Sequence, residues 1–264
     1  MKYGFSTLVC PGWEWDEVIS AASDLGFDGV ELRGLGKHID ITAMRLFTTD
    51  TPAADLARTG LSIPCLSTGA CLADARAARE ALAEAEAYIA LAARLGTPYI
   101  RVLGDRDPAP DAAHTDEALL RENLSKLLPL AMAKGVTLLI ETNGVYADSA
   151  RLARLLAAVD SPALGVLWDV HHPYRYGGEK PAQTHANLAP YIRHVHVKDS
   201  VMDKAELAYR MLGFGDVPLR EALAVLRDSG YDGFVVLEWV KRWNMALEEP
   251  GIVLPHFLGT VKKL

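Results

Sequence analysis

Four residues able to bind a cation each stand in, or directly behind, a short apolar run in the second half of the chain. Glu141 ends VTLLIE, Asp169 ends ALGVLWD, His196 sits in IRHVHVK and Glu238 ends FVVLE. Three carboxylates brought to one place repel strongly unless a positive charge offsets them. Three hard oxygen donors and one imidazole suit a single divalent ion: Mn²⁺, Zn²⁺, Co²⁺ or Mg²⁺. The set contains no thiolate, which sets it apart from a structural zinc site. A divalent ion polarises a carbonyl group and stabilises an enediolate.

For these four to meet, the runs that carry them must be adjacent parallel strands pointing the same way. Eight strand-like runs are present: Tyr3–Thr7, Gly29–Arg33, Ser62–Ser67, Tyr99–Leu103, Thr137–Thr142, Leu164–Trp168, Ile192–Val197 and Phe234–Glu238. Most are continuously apolar, as strands covered on both faces are. Helical patterns separate them, clearest over Asp74–Leu95, Thr115–Lys134 and Ser149–Val159. Glycines such as Gly26, Gly96, Gly135 and Gly230 close helical stretches before the next strand, as left-handed caps do. Eight such units in 264 residues leave about 33 residues for each, the size of a βα unit. No linker or low-complexity segment interrupts them. The expectation is an α/β fold: one domain over residues 1–264, a single (β/α)8 TIM barrel with its chemistry at the carboxyl ends of the strands. An open doubly wound sheet would call for a glycine-rich phosphate loop after the first strand, and Leu8–Trp13 lacks that fingerprint.

Other polar residues fall at the same end. His194, His196 and Lys198 share one parity and so one face of their strand. Lys198 is expected to neutralise an enediolate, bind a substrate anion or pair with a carboxylate. His194, two residues deeper, reads equally well as a hydrogen-bonded core histidine. Glu31, Arg33, Arg101 and Asn143 are candidates for hydrogen bonds to sugar hydroxyls, or else for structural ion pairs. Trp13 and Trp15 read as packing anchors more readily than as pocket walls. Lys241, Arg242 and Trp243 form a candidate loop over the mouth. Ile252, Val253, Leu254 and Phe257 call for cover, by the barrel or by a partner chain in a homo-oligomer.

Composition narrows the partners. The formal net charge is −7, which disfavours nucleic acid and anionic membrane surfaces. Half the residues are hydrophobic, yet no run approaches the roughly 20 apolar residues that span a bilayer. The start lacks the pattern of a signal peptide. Cys10, Cys65 and Cys71 are an odd count without metal-ligand spacing. These features lead us to expect a cytoplasmic protein with reduced thiols.

The motifs Trp168-Asp169-Val170-His171-His172-Pro173 and His194-Val195-His196-Val197-Lys198-Asp199 resemble those of the xylose isomerase-like TIM-barrel superfamily. The likeness runs from Gly26-Phe27-Asp28-Gly29-Val30-Glu31 to Glu238. That group contains sugar phosphate isomerases and epimerases, tagatose 3-epimerase-like enzymes, inosose dehydratases and endonuclease IV. The resemblance implies metal ligation by Glu141, Asp169, His196 and Glu238, with Glu141 and Glu238 doubling as the acid/base pair. It also implies substrate contact by His172 and by a basic residue after the seventh strand, for which Arg210 is the candidate. The expected activity is metal-dependent isomerisation or epimerisation of a sugar, keto-sugar or polyol-derived carbonyl compound. Dehydration of a keto-sugar or inosose is the alternative, ahead of a metal-dependent hydrolase or a non-catalytic sugar-binding barrel. The extra histidines of endonuclease IV are missing after Leu66-Ser67-Thr68-Gly69 and Val102-Leu103-Gly104-Asp105, which implies one metal ion and not three.

Overall fold

The computed structural model describes residues 1–110, 112–204 and 206–264. Strand and helix alternate along the chain: β1 (Lys2–Ser6), α1 (Trp15–Leu25), β2 (Gly29–Glu31), α2 (Thr51–Thr59), β3 (Cys65–Cys71), α3 (Ala78–Leu95), β4 (Tyr99–Leu103), α4 (Glu117–Ala133), β5 (Thr137–Glu141), α5 (Ser149–Val159) and β6 (Leu164–Asp169). Two short helices follow, α6 (His171–Gly177) and α7 (Pro181–Leu188), then β7 (Ile192–Val197). A hairpin of β8 (Asp199–Asp203) and β9 (Glu206–Arg210) precedes α8 (Leu219–Asp228), β10 (Phe234–Leu237) and α9 (Pro250–Val261). Eight strands form one sheet in the order β2-β1-β10-β7-β6-β5-β4-β3. The registers of β1 with β10 and β2, and of β3 through β6, are parallel. This is the (β/α)8 topology expected from the sequence, with β10 as its eighth strand.

The chain divides into two compact units, Met1–Pro64 with His196–Leu264, and Cys65–Val195; the division falls within β7. In the first unit, α1 opens with a reciprocal capping box between Glu14 and Glu17 and closes at left-handed Gly26. Phe27 then packs edge-on against Phe5 at 4.9 Å and flat against Phe257 of α9 at 6.1 Å. Val253, Leu254 and Phe257 are buried, so the protein itself covers the apolar C-terminal stretch, although Ile252 stays exposed. In the second unit, α3 buries Ala81, Ala85, Tyr88, Ile89 and Ala92 along one stripe. Asn123 of α4 donates to the Leu72 carbonyl at 2.8 Å and ties the loop after β3 to a helix.

Two local expectations need correction. The third strand, expected over Ser62–Ser67, lies at Cys65–Cys71. Ser62 makes only an isolated parallel bridge to Gly29, because Pro64 has no N–H with which to continue a ladder. That bridge is close: a Cβ on Gly29 would stand 2.4 Å from the Ser62 carbonyl oxygen. The segment after β7, expected as a loop, is the β8–β9 antiparallel hairpin. Its base is held by Asp199, whose carboxylate accepts from the N–H groups of Ser200, Gly213, Gly215 and Val217 at 2.9–3.2 Å. A side chain at residue 215 would run into that carboxylate, which requires glycine there.

Among the described residues no helix is long and apolar enough to cross a membrane. None of the three cysteines is in a disulfide and all are buried, and burial pushes the Cys10 thiol up to about 12, away from thiolate reactivity.

Two stability predictions follow from this packing. Phe257→Ala should cost about 3–5 kcal/mol, read as a shift of the denaturant midpoint; a loss under about 1 kcal/mol would mean the α9 stack carries little. Asp199→Ala strips an acceptor from several buried N–H groups, worth about 1–3 kcal/mol. Hydrogen exchange at Gly213 and Gly215 should then accelerate, and unchanged protection would contradict the anchoring role.

Candidate metal centre

In the second unit, the residues expected to do chemistry gather where β5 and β6 end. Glu141 is the last residue of β5 and Asp169 the last of β6; both are buried, at 3% and 0% exposure. Thr142, directly after Glu141, locks the two strand ends together: its hydroxyl accepts from the Asp169 N–H at 2.9 Å and donates to the Asp169 carbonyl at 3.1 Å. His172 stands in the first turn of α6 between the two carboxylates. Its Nδ1 lies 3.7 Å from Glu141 Oε1 and its Nε2 lies 3.7 Å from Asp169 Oδ2. Those separations exceed hydrogen-bond length, while Nδ1 is 3.2 Å from the Thr142 carbonyl oxygen. The other oxygen of Asp169 accepts from the His171 N–H at 2.9 Å. Arg101, from β4, places its Nε 3.2 Å from Glu141 Oε2 and donates through Nη1 to the Thr68 carbonyl at 2.7 Å. It is the buried counter-charge of Glu141, so of its two expected roles the ion pair is the one observed.

In the first unit, His196 and Lys198 of the β7 edge meet Glu238, which directly follows β10. His196 is fully buried. Its Nε2 lies 2.7 Å from Oε2 of Glu31, the last residue of β2, and its Nδ1 lies 3.5 Å from Glu238 Oε1. Burial, the largest influence, pulls the imidazolium down. Glu31 and Glu238 act against it and hold His196 well above the usual histidine range. Lys198, also buried, bonds Glu238 Oε2 through its ammonium.

One unit presents Glu141 with Asp169 and the other presents His196 with Glu238. Oxygen and imidazole donors of this kind fit Mn²⁺, Co²⁺, Zn²⁺ or Mg²⁺.

The remaining expected residues are placed differently. Asn143 donates to the carbonyls of Asp105 and Asp107 at 2.9 and 3.2 Å, fastening the loop after β4. Arg210 ends β9 on the exposed side of the hairpin and bonds the Tyr209 carbonyl next to it. Trp15 packs edge-on against Phe47 and donates to Asp55, as a packing anchor does. Arg33 lies 5.8 Å from the Trp243 ring, and Arg242 donates to the Gly36 carbonyl, so the β10 loop lies against the β2 loop. Lys241 is buried on the carbonyls of Met245 and Leu247. Sequence reasoning missed the clamp role of Asp199, for which the Gly213-Phe214-Gly215 pair was the available signal. It also missed the bond between Glu31 and His196, for which spacing offers none.

Comparison with known proteins agrees with this architecture. The family model described as "Xylose isomerase-like TIM barrel" matches residues 19–253. Fructoselysine 3-epimerase of Shigella flexneri is 27% identical over 277 residues, covering 100% of this chain and 98% of the relative. An inosose dehydratase of Clostridium perfringens is 26% identical over 153 residues, 52% of this chain and 49% of the relative. The crystal structure of a probable 3-DHS dehydratase from Bacillus anthracis superposes with a TM-score of 0.81 at 20% identity, covering 99% of both chains. The chain belongs to the xylose isomerase-like TIM barrel family.

Proposed function

We propose that the protein is a divalent-metal-dependent epimerase or isomerase of a sugar or keto-sugar, with Glu141, Asp169, His196 and Glu238 as the metal ligands. The observation that carries this reading is the pair of buried glutamates at strand ends, each beside its own buried cation: Glu141 with Arg101 and Glu238 with Lys198. Buried carboxylates held against counter-charges are what a two-base proton transfer calls for. Support also comes from the full-length likeness to a 3-epimerase.

A divalent ion held by this set would polarise the substrate carbonyl and stabilise the negative charge that develops when the α-proton leaves. In this scheme one of the two glutamates takes that proton on a carboxylate oxygen, and the other returns a proton to the opposite face or to the neighbouring carbon. Lys198 keeps a positive charge against Glu238 and toward a developing oxyanion. Arg101 fixes the orientation of Glu141 by bridging it to the Thr68 carbonyl. His172 contacts a substrate hydroxyl near the ligands, and Arg210 contacts the outer end of the substrate from the hairpin. Glu31 and Asn143 are assigned structural roles here, through their bonds to His196 and to the loop after β4. Fructoselysine is the first substrate to test, followed by free ketohexoses.

Dehydration is the second reading, favoured by the inosose dehydratase relatives. It shares the proton-abstraction step and then expels a β-hydroxyl. An enone absorbance would appear with product, whereas epimerisation leaves none.

The test is solvent deuterium incorporation at the α-carbon. Glu141→Gln and Glu238→Gln should each lower incorporation by at least about 10²-fold, the share commonly supplied by a positioned acid or base. Both variants should keep the wild-type circular dichroism spectrum. Wild-type exchange rates in both variants would sink the acid/base assignment.

A further inference from the structure

We infer that Glu31 selects which nitrogen of His196 faces the proposed metal ion, by holding the proton on Nε2 and leaving Nδ1 as the ligand atom. This rests on the metal reading and adds a positioning residue to it. Glu31 Oε2 is 2.7 Å from His196 Nε2, whereas Nδ1 lies 3.5 Å from Glu238 Oε1. The three side chains are buried. β2 and β7 are separated in the sheet by β1 and β10, so this contact is no by-product of strand pairing.

The argument is one of donors and acceptors. A carboxylate only accepts, and a neutral imidazole carries a single N–H. A histidine that binds a metal ion through one nitrogen keeps its N–H on the other, and the 2.7 Å contact with Glu31 holds that N–H at Nε2, so Nδ1 supplies the lone pair. That lone pair then faces the Glu238 carboxylate, a second acceptor. In the charged, metal-free imidazolium a proton occupies Nδ1 on that side, and a metal ion shared by Nδ1 and Glu238 would take its place. Histidine ligands are commonly oriented in this way by a carboxylate on the far ring nitrogen. Glu31 is itself rigid: it pairs with Ser6 of β1 through the backbone.

The experiment uses Zn²⁺, which is diamagnetic, and the full chain labelled with ¹⁵N-histidine. Two-bond ¹H–¹⁵N spectra show which ring nitrogen carries the proton, with His196→Ala identifying the signals. Zn²⁺ affinity is measured by chelator competition for wild type, Glu31→Gln and Glu31→Leu. The inference predicts a protonated Nε2 and a Zn²⁺-shifted Nδ1 in wild type. It predicts a loss of about 10–100-fold in affinity for Glu31→Leu, which removes the acceptor. Glu31→Gln keeps an acceptor oxygen and should retain the Nε2–H pattern with most of the affinity. Wild-type Zn²⁺ bound through Nε2, or Glu31→Leu binding as tightly as wild type, overturns the inference and leaves the metal reading standing. A wild-type chain that binds no Zn²⁺ overturns both. Should Glu31→Leu fail to fold, the wild-type nitrogen pattern decides alone.

Discussion

Burying carboxylates is the constraint on which the rest of this molecule depends. Glu31, Glu141, Asp169 and Glu238 are each no more than 6% exposed. Removing such a group from water costs several kcal/mol unless charge and hydrogen bonds offset it. Each unit meets that demand separately. One sets Arg101 against Glu141 and lets the Thr142 hydroxyl and His171 N–H hold the end of β6. The other sets Lys198 against Glu238 and His196 against Glu31. Arg101 and His196 lie within strands, and Lys198 directly follows one. Such placement is costly for stability alone, and the proposed proton transfer, which would develop negative charge on a substrate, gives it a purpose.

The elements around these groups act to hold strand ends still. Asn143 and Asp105 fasten the turn after β5 to the loop after β4: the Asn143 amide donates to the Asp105 carbonyl, and the Asp105 carboxylate accepts from the Val145 N–H at 2.8 Å. Asp199 does the same for the hairpin after β7. Both are polar residues within a few positions of a candidate ligand, and both bond backbone. Of the two roles open to Asn143 in the sequence, its bonds to the Asp105 and Asp107 carbonyls supply the structural one.

The strands that carry Glu141, Asp169, His196 and Glu238 were legible because each is an unbroken apolar run stopped by one polar residue. A run covered on both faces has no reason to end in a carboxylate except function or a turn. β4, β7 and α5 were placed to the residue for the same reason: strong periodicity with clean punctuation. β3 was not, since Pro64 divides a run that looks continuous in hydrophobicity but not in hydrogen bonding. The partners of Glu31 and Arg101 were illegible in a different sense. Glu31 and His196 are 165 residues apart, and Arg101 reaches from β4 to Glu141 on the neighbouring strand. No spacing rule relates such residues, so the sequence left both with open roles that only coordinates divide.

Metal content tests the central claim most directly. Wild-type protein and Asp169→Asn, purified side by side and equilibrated with Mn²⁺ or Zn²⁺ before dialysis, would be measured by elemental analysis. The account predicts about one equivalent of divalent ion per wild-type chain and a clear deficit in Asp169→Asn with the fold intact. No retained metal in well-folded wild type, or equal metal in both, would contradict it and leave the buried carboxylates as a structural network.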